Sequence, residues 1–576
     1  MEAMTLNNED SYLLNELSKL KDSSREAVEF VDDLSEFKQY IHVNRSIQED
    51  FLKELERVKD ENSNHLIMLC GSVGDGKSHI LAYLKTARPD LYNFFKIHND
   101  ATESFNPDED AIDTLAKVLK PFNDINFDYS KDKVILAINL GVLNKFLESD
   151  YCKHEYTKLK NLIDEANIFD TKIVSKNICQ KKVSFITFSD YNLFELTERG
   201  TSSKYISSLF DKITSKNDEN PFYAAYNKDK ELGIYNVVMY NYEMFLDKEV
   251  QEIIIHYLIK IFIKHKKIVS TRDLLNFIYE IIVPYEEIKN IPLNENSLKF
   301  LLPNLLFDND DRSDILKLYS KFDPTNNRNE ELDKFIIDFY IKSNLDTILK
   351  KYFNHDKIKF LKHFFVENDT FQYDKLTKEE SISTLIRFLI FYGNSSVKQA
   401  FADDNYEKFL NYLYYYNLHK VDGYKMLFVE IEEAIFNWKG SSKNNYICVD
   451  TLNNFKVFKY INLDRKKDPW DENLLEGFYL GNRFKTEIHV FFQVPPSEKL
   501  MELDVDFSLY DYIMKMNDGF KPNKSEKEDL TLFDEFIESL INESETKELY
   551  VKSLDTDAGF YFKYYDDMNS FEFKGA

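Results

Sequence analysis

Gly71-Ser72-Val73-Gly74-Asp75-Gly76-Lys77-Ser78 is the stretch whose reading decides the fold. It fits G-x-x-x-x-G-K-[ST], the pattern of a phosphate-binding P-loop. Ahead of it, Leu66 to Cys70 is a continuous apolar run, as expected of a parallel strand buried on both faces. Behind it, Ile80, Leu81 and Leu84 recur at helical spacing, and Pro89 closes the segment. Strand, glycine loop and helix in that order turn backbone N–H groups and a positive helix end toward phosphate oxygens. Gly71 to His79 is therefore the expected nucleotide-binding stretch, with ATP and Mg²⁺ as cofactors. Lys77 is expected to reach the β- and γ-phosphates and Ser78 to coordinate the Mg²⁺. The alternative is a glycine turn that matches by chance.

The 576 residues suffice for two to four domains. With 43% hydrophobic and 30% charged residues the chain reads as a soluble globular protein. The 14 Gly and 12 Pro are few, which predicts long helices with few tight turns. A formal net charge of −26 is the opposite of what a free-standing nucleic-acid binder carries, so DNA is expected to be met through a complex. The lysines at 264, 266 and 267, and those at 350, 351, 357, 359 and 362, read as solvated helix faces. Cys70, Cys152, Cys179 and Cys448 show no C-x-x-C spacing, which signals no zinc site and fits reduced thiols in a cytoplasm. No signal peptide or membrane-length apolar run is read, so no membrane partner is expected.

The expected fold is an α/β P-loop NTPase, AAA+-like, its parallel sheet carrying helices on both faces. A helical region and a C-terminal α+β domain follow. The boundaries read as an N-terminal helical segment 1–60, a core 61–245, a helical lid 246–300, a helical region 301–439 and a C-terminal domain 440–576. Ser23 to Glu26 is a capping-box pattern, and Val43 to Ile47 is a candidate adenine contact. After a short strand around Phe94 to Ile97, the polar run His98 to Ser104, which includes Glu103, falls where open α/β sheets bind ligands. Val134 to Gly141 stands in the place of a Walker B strand but ends in Asn139. An amide there can orient water but cannot act as a base. Val183 to Phe188 leads to Asp190, either the functional Walker B carboxylate or a sensor on the next strand; the order of elements favours the sensor. Val237 to Met239 is expected to be a further strand of the sheet, and the charged 150–180 region an excursion from the core. Ser270 to Asp273 opens a helix whose first turn holds Arg272, in the place of a sensor-2 arginine; a solvent-facing arginine is the alternative. Asp190, Glu103 and Asn139 are the catalytic candidates, and Arg199 a candidate arginine finger. The C-terminal domain offers no metal or nuclease spacing.

Several stretches taken together resemble a known family. These are Leu69 to His79, Asn99 to Ser104, Ala137 to Gly141, Phe188 to Tyr191, Asn220 to Tyr223 and Val269 to Arg272, with Asp506 to Tyr510 near the C-terminal end. In that order they resemble the phosphorothioation-dependent DNA restriction protein family DptF, also called DndF. The resemblance implies an ATP-binding subunit in anti-phage defence. It implies action with DptG- and DptH-like partners on DNA that lacks the backbone sulfur modification. Self-association is a further expectation. The chain itself is expected to be an ATPase and not a nuclease; a nucleotide-binding scaffold with little hydrolysis is the alternative. Relatives can carry a cysteine cluster after the place of Tyr223, and this chain has none there.

Overall fold

The computed structural model describes residues 11–21, 36–71, 75–99, 111–166, 168–169, 179–180, 182–267, 269–285, 295–341, 345–365, 375–441, 443–467, 481–521, 523, 530–556, 558–566 and 568–575. The chain forms two compact units. The first comprises 1–195, 202–262 and 267–402, and the second 196–201, 263–266 and 403–576.

In the first unit, β1 (His65–Cys70), β2 (Lys96–His98), β3 (Lys133–Ile138), β4 (Cys179–Gln180) and β5 (Val183–Thr187) form a sheet in the order β2-β3-β1-β5-β4. β1, β2, β3 and β5 are parallel, and the two-residue β4 is antiparallel to β5. Strand alternation divides the core between the faces. Leu66, Met68 and Cys70 pack with Leu136 and Phe185 against helices Ala111–Leu119, Leu140–Glu148 and Thr157–Glu165. Ile67 and Leu69 pack with Ile135 and Ile186 against helices Ser46–Lys59 and Lys77–Ala87. The expected parallel sheet with helices on both faces is what the chain builds.

Two expectations are corrected. Val237 to Met239 is not a strand but the start of helix Val237–Phe245. Asn236 caps it by accepting the Met239 N–H, and its residues from Val237 to Tyr242 are all buried. An apolar run buried all round has no period from which strand and helix can be told apart. Of the 150–180 region, the part from 150 to 166 is not an excursion either. Helices Asp150–Glu155 and Thr157–Glu165 set Cys152, Leu159 and Ile163 into the sheet's core. The capping-box pattern at 23–26 lies outside the described residues.

From residue 204 to 402 the described elements are helical. The second unit holds the tip of a hairpin, β6 (Glu195–Thr197) and β7 (Gly200–Ser202), and two further antiparallel sheets. Its strands are β8 (Tyr446–Leu452), β9 (Phe455–Tyr460), β10 (Asp464–Lys466), β11 (Ile488–Gln493), β12 (Leu500–Val505), β13 (Glu548–Ser553), β14 (Gly559–Tyr565) and β15 (Ser570–Gly575). They run in the orders β10-β11-β12 and β15-β14-β13-β9-β8. The change of texture at Gly440 falls inside this unit, which already includes helices Asp404–Asn417 and Val421–Lys439. Gly440, with φ +91°, ends the second of them in a conformation that suits glycine.

Candidate functional site

β1 is central, so three strand ends meet around the loop that follows it. Cys70 is level with Ile138 on one side and Thr187 on the other. Gly71 continues the ladder by one bond, donating its N–H to the Ile138 carbonyl at 3.2 Å. A Cβ at Gly71 would sit 2.7 Å from an Asp75 carboxylate oxygen and 3.0 Å from the Phe188 ring, so a side chain there would have to push both aside. Gly76 has φ +100° and caps helix Lys77–Ala87. The first-turn N–H groups of a helix have no partner within the helix itself, which makes such an end suited to anions.

Lys77 stands at the first helical position and donates from Nζ to the Gly71 carbonyl at 3.1 Å, across the loop. The Ser78 hydroxyl lies 3.2–3.3 Å from the side-chain amide of Asn99, which follows β2. Asp190 ends the single 3-10 turn after β5 and is 6% exposed. Burial pushes the Cys70 thiol up to about 12, Lys77 pulls it down and Asp190 raises it. Asn139 follows β3 at the same edge, but its Oδ1 accepts the Gly141 N–H at 2.8 Å and caps helix Leu140–Glu148. Ser72, Val73, Gly74 and Glu103 lie outside the described residues.

Beside the loop a cleft is lined by Val43, Arg45, Gly76, His79, Tyr205 and Arg272, among others. Four separate segments thus meet there: the approach to helix Ser46–Lys59, helix Lys77–Ala87, helix Lys204–Thr214 and helix Thr271–Ile282. Arg272 sits in the first turn of the last, behind a capping box made by Ser270 and Asp273. Arg45 ties the walls together. Its Nη1 donates to the Asp75 carbonyl at 3.0 Å, and its guanidinium lies over the rings of Phe188 and Tyr205. Tyr205 in turn shares a 2.7 Å hydrogen bond with Thr271. Burial lowers the Arg45 pKa and raises that of Tyr205.

His79 and His42 are also in polar contact, Nε2 to Nδ1 at 2.8 Å. The second His42 nitrogen faces the Asn44 side-chain oxygen at 2.9 Å, and the ring stacks on Tyr83 at 4.1 Å. An amide oxygen only accepts, so His42 carries its hydrogen on Nε2, and its Nδ1 accepts from His79. Two neutral rings fit this geometry. Burial, then the repulsion a protonated His42 would exert, brings His79 down to about 4.

No family model matches this chain, and no curated protein does either. The site rests on its own geometry.

The structure brings Gly71, Gly76, Lys77, Ser78, Asn139 and Asp190 to one sheet edge, and His79 and Arg272 to the adjoining cleft. Arg199, on the β6–β7 hairpin, belongs to the second unit. Tyr205 carried no signal in the sequence, since a tyrosine in helix Lys204–Thr214 reads as core filling. Asn99 lay in a polar stretch already singled out, without a partner to fix its role.

Among the described residues one group has metal-like spacing, His489 with Glu502 and Asp504 on β11 and β12. The His489 Nδ1 is 2.5 Å from an Asp504 oxygen, a hydrogen-bond contact that already satisfies it. Among the described residues no helix is long and apolar enough to cross a membrane.

Proposed function

We propose that this chain is an ATP-binding subunit that holds ATP–Mg²⁺ at the Gly71–Ser78 loop. The observation that carries the reading is Lys77 bridging to Gly71 across a glycine loop at the end of the central parallel strand. Phosphate oxygens bind an ammonium as a charge-assisted pair, stronger than its contact with a neutral carbonyl. The first-turn N–H groups behind Gly76 face the same place. Ser78 is the residue that would hold Mg²⁺, with Asn99 orienting its hydroxyl. The metal supplies positive charge on the phosphate oxygens. Arg45 holds the loop carbonyl of Asp75 in place, and the cleft between Val43, Ile80 and Leu275 offers apolar walls for a base. Arg272 adds a positive charge to the lining of the same cleft.

Asp190 is the carboxylate in best position for turnover, as a water-polarising or metal-side group. A second reading, a nucleotide-held scaffold with little hydrolysis, draws on Asn139, whose oxygen is engaged in a helix cap. Through its resemblance to the DptF family we place the chain in a phosphorothioation-dependent DNA restriction complex. There it acts with DptG- and DptH-like subunits and meets unmodified DNA through them.

The test is Lys77→Ala with labelled ATP and Mg²⁺. Loss of one charge-assisted contact predicts about 10- to 100-fold weaker binding with an unchanged melting curve. Binding at parental strength would mean that the site lies elsewhere.

A further inference from the structure

The five-stranded antiparallel sheet of the second unit has two unlike faces. Register places Tyr446, Phe458, Tyr550 and Tyr561 on one, where they pack on one another beneath Lys443. The other face carries Val457, Val551, Phe560, Phe562, Phe571 and Phe573. Phe571 is 75% exposed and Phe573 57%. An apolar sheet face is normally covered, and an exposed aromatic patch marks an interaction surface.

The two edges of this sheet also differ. β8 has a register shift between Cys448 and Asp450, the kind of bulge that spoils pairing with another chain. β15 pairs with β14 in unbroken register from Ser570 to Gly575, and no described strand pairs with its outer side. Its outer row of backbone N–H and C=O groups is a template for one more strand.

β15 reads Ser570-Phe571-Glu572-Phe573-Lys574-Gly575, and it complements itself when run antiparallel. With a two-fold axis at Phe573, each Glu572 faces the Lys574 of the other copy. Phe573 then faces Phe573, and Phe571 faces Gly575. Gly575 is opposite Phe560 in its own sheet. The incoming Phe571 ring therefore lies over a residue with no side chain, beside another aromatic, which is how an aromatic covers an edge glycine. We propose that β15 is the interface of an isologous dimer in which two copies of this chain join their sheets edge to edge. The net charge of −26 on each copy opposes approach, but that repulsion is screened beyond about 8 Å at physiological salt, whereas the edge pairs are in contact. The proposal is independent of the nucleotide reading.

Sedimentation velocity of the full chain, over a concentration range of about 100-fold, reads it directly. The parent is expected to shift from monomer to dimer. Glu572→Lys and Lys574→Glu each set like charges face to face at two places, and each should raise the dissociation constant about 10-fold or more. Only a reciprocal antiparallel register predicts that the double variant Glu572→Lys/Lys574→Glu recovers parental dimerisation. Far-UV circular dichroism checks that each variant keeps its fold. A parent that stays monomeric throughout overturns the proposal, as it would if the edge instead served a different protein. So do single variants that dimerise like the parent, or a double variant no better than the singles.

Discussion

The two largest sheets of this chain treat their strands in opposite ways. In the parallel sheet, β1 is buried at every position and helices cover both faces. In the five-stranded antiparallel sheet, five of the six β15 residues are exposed. The cause is connectivity. Parallel neighbours require a long crossover, and the crossover brings a helix to the sheet face. Antiparallel neighbours need only a hairpin, which brings no cover. The first sheet therefore has only its strand ends for chemistry, while the second offers a face and an edge for contact.

The largest test of that contrast is a paired truncation. Phe185, on β5, is 1% exposed inside the sheet's core, and Phe185→Ala should cost about 3–5 kcal/mol in the unfolding of the first unit. Phe571→Ala in the second unit, studied at low protein concentration, should cost less than about 0.5 kcal/mol. Denaturant titrations measure both, and equal costs would break the comparison.

A smaller effect is expected from pH at the first sheet's edge. In the folded protein burial holds His79 neutral, its pKa down to about 4. In the unfolded chain it titrates near its ordinary value of about 6.5. As pH falls, the unfolded state takes up the proton first. Stability is thus full above pH about 6.5 and is lost down to about 4, by up to about 3 kcal/mol from this group. His42 and His65 are shifted in the same direction, so the parental slope exceeds one group's share. Thermal unfolding of His79→Gln across that window should show a shallower slope than the parent. Identical slopes would remove His79 as a cause.

The smallest expected change separates the two regions by function. Gly76 and Gly440 both end or begin helices at positive φ, +100° and +91°. An alanine at either costs about 1–2 kcal/mol in backbone strain. Gly76→Ala should also weaken ATP binding, because the loop's N–H groups move with it, whereas Gly440→Ala should leave binding unchanged. Calorimetric titration with ATP–Mg²⁺ distinguishes them, and a matched loss in both would count against the P-loop as the site.

Much of the parallel sheet was legible because its signals are local. The apolar run before Gly71 and the helical spacing after Lys77 each lie within a dozen residues, and each formed the expected element. The helix start at Ser270 to Asp273, which puts Arg272 in a first turn, was equally readable. Val237 to Met239 was misread because complete burial erases the period on which strand and helix differ. Asn139 was placed at the correct edge, but its helix-capping bond appears only once the turn into Leu140 is built.

By itself, the sequence determined the glycine loop, the strand and helix around it, and the change to strand-rich texture after Gly440. Those features depend on backbone conformation and on apolar spacing between near neighbours, both of which are written along the chain. Only the tertiary structure decided that Arg45 crosses to Asp75, that His42 meets His79, and that Tyr205 and Thr271 close one wall of the cleft. It alone also decided that β15 lies at an edge with Phe571 and Phe573 uncovered. These side-chain contacts join residues 30 to 66 positions apart. Which of them form depends on how crossovers and hairpins order the strands, and no local pattern encodes that order.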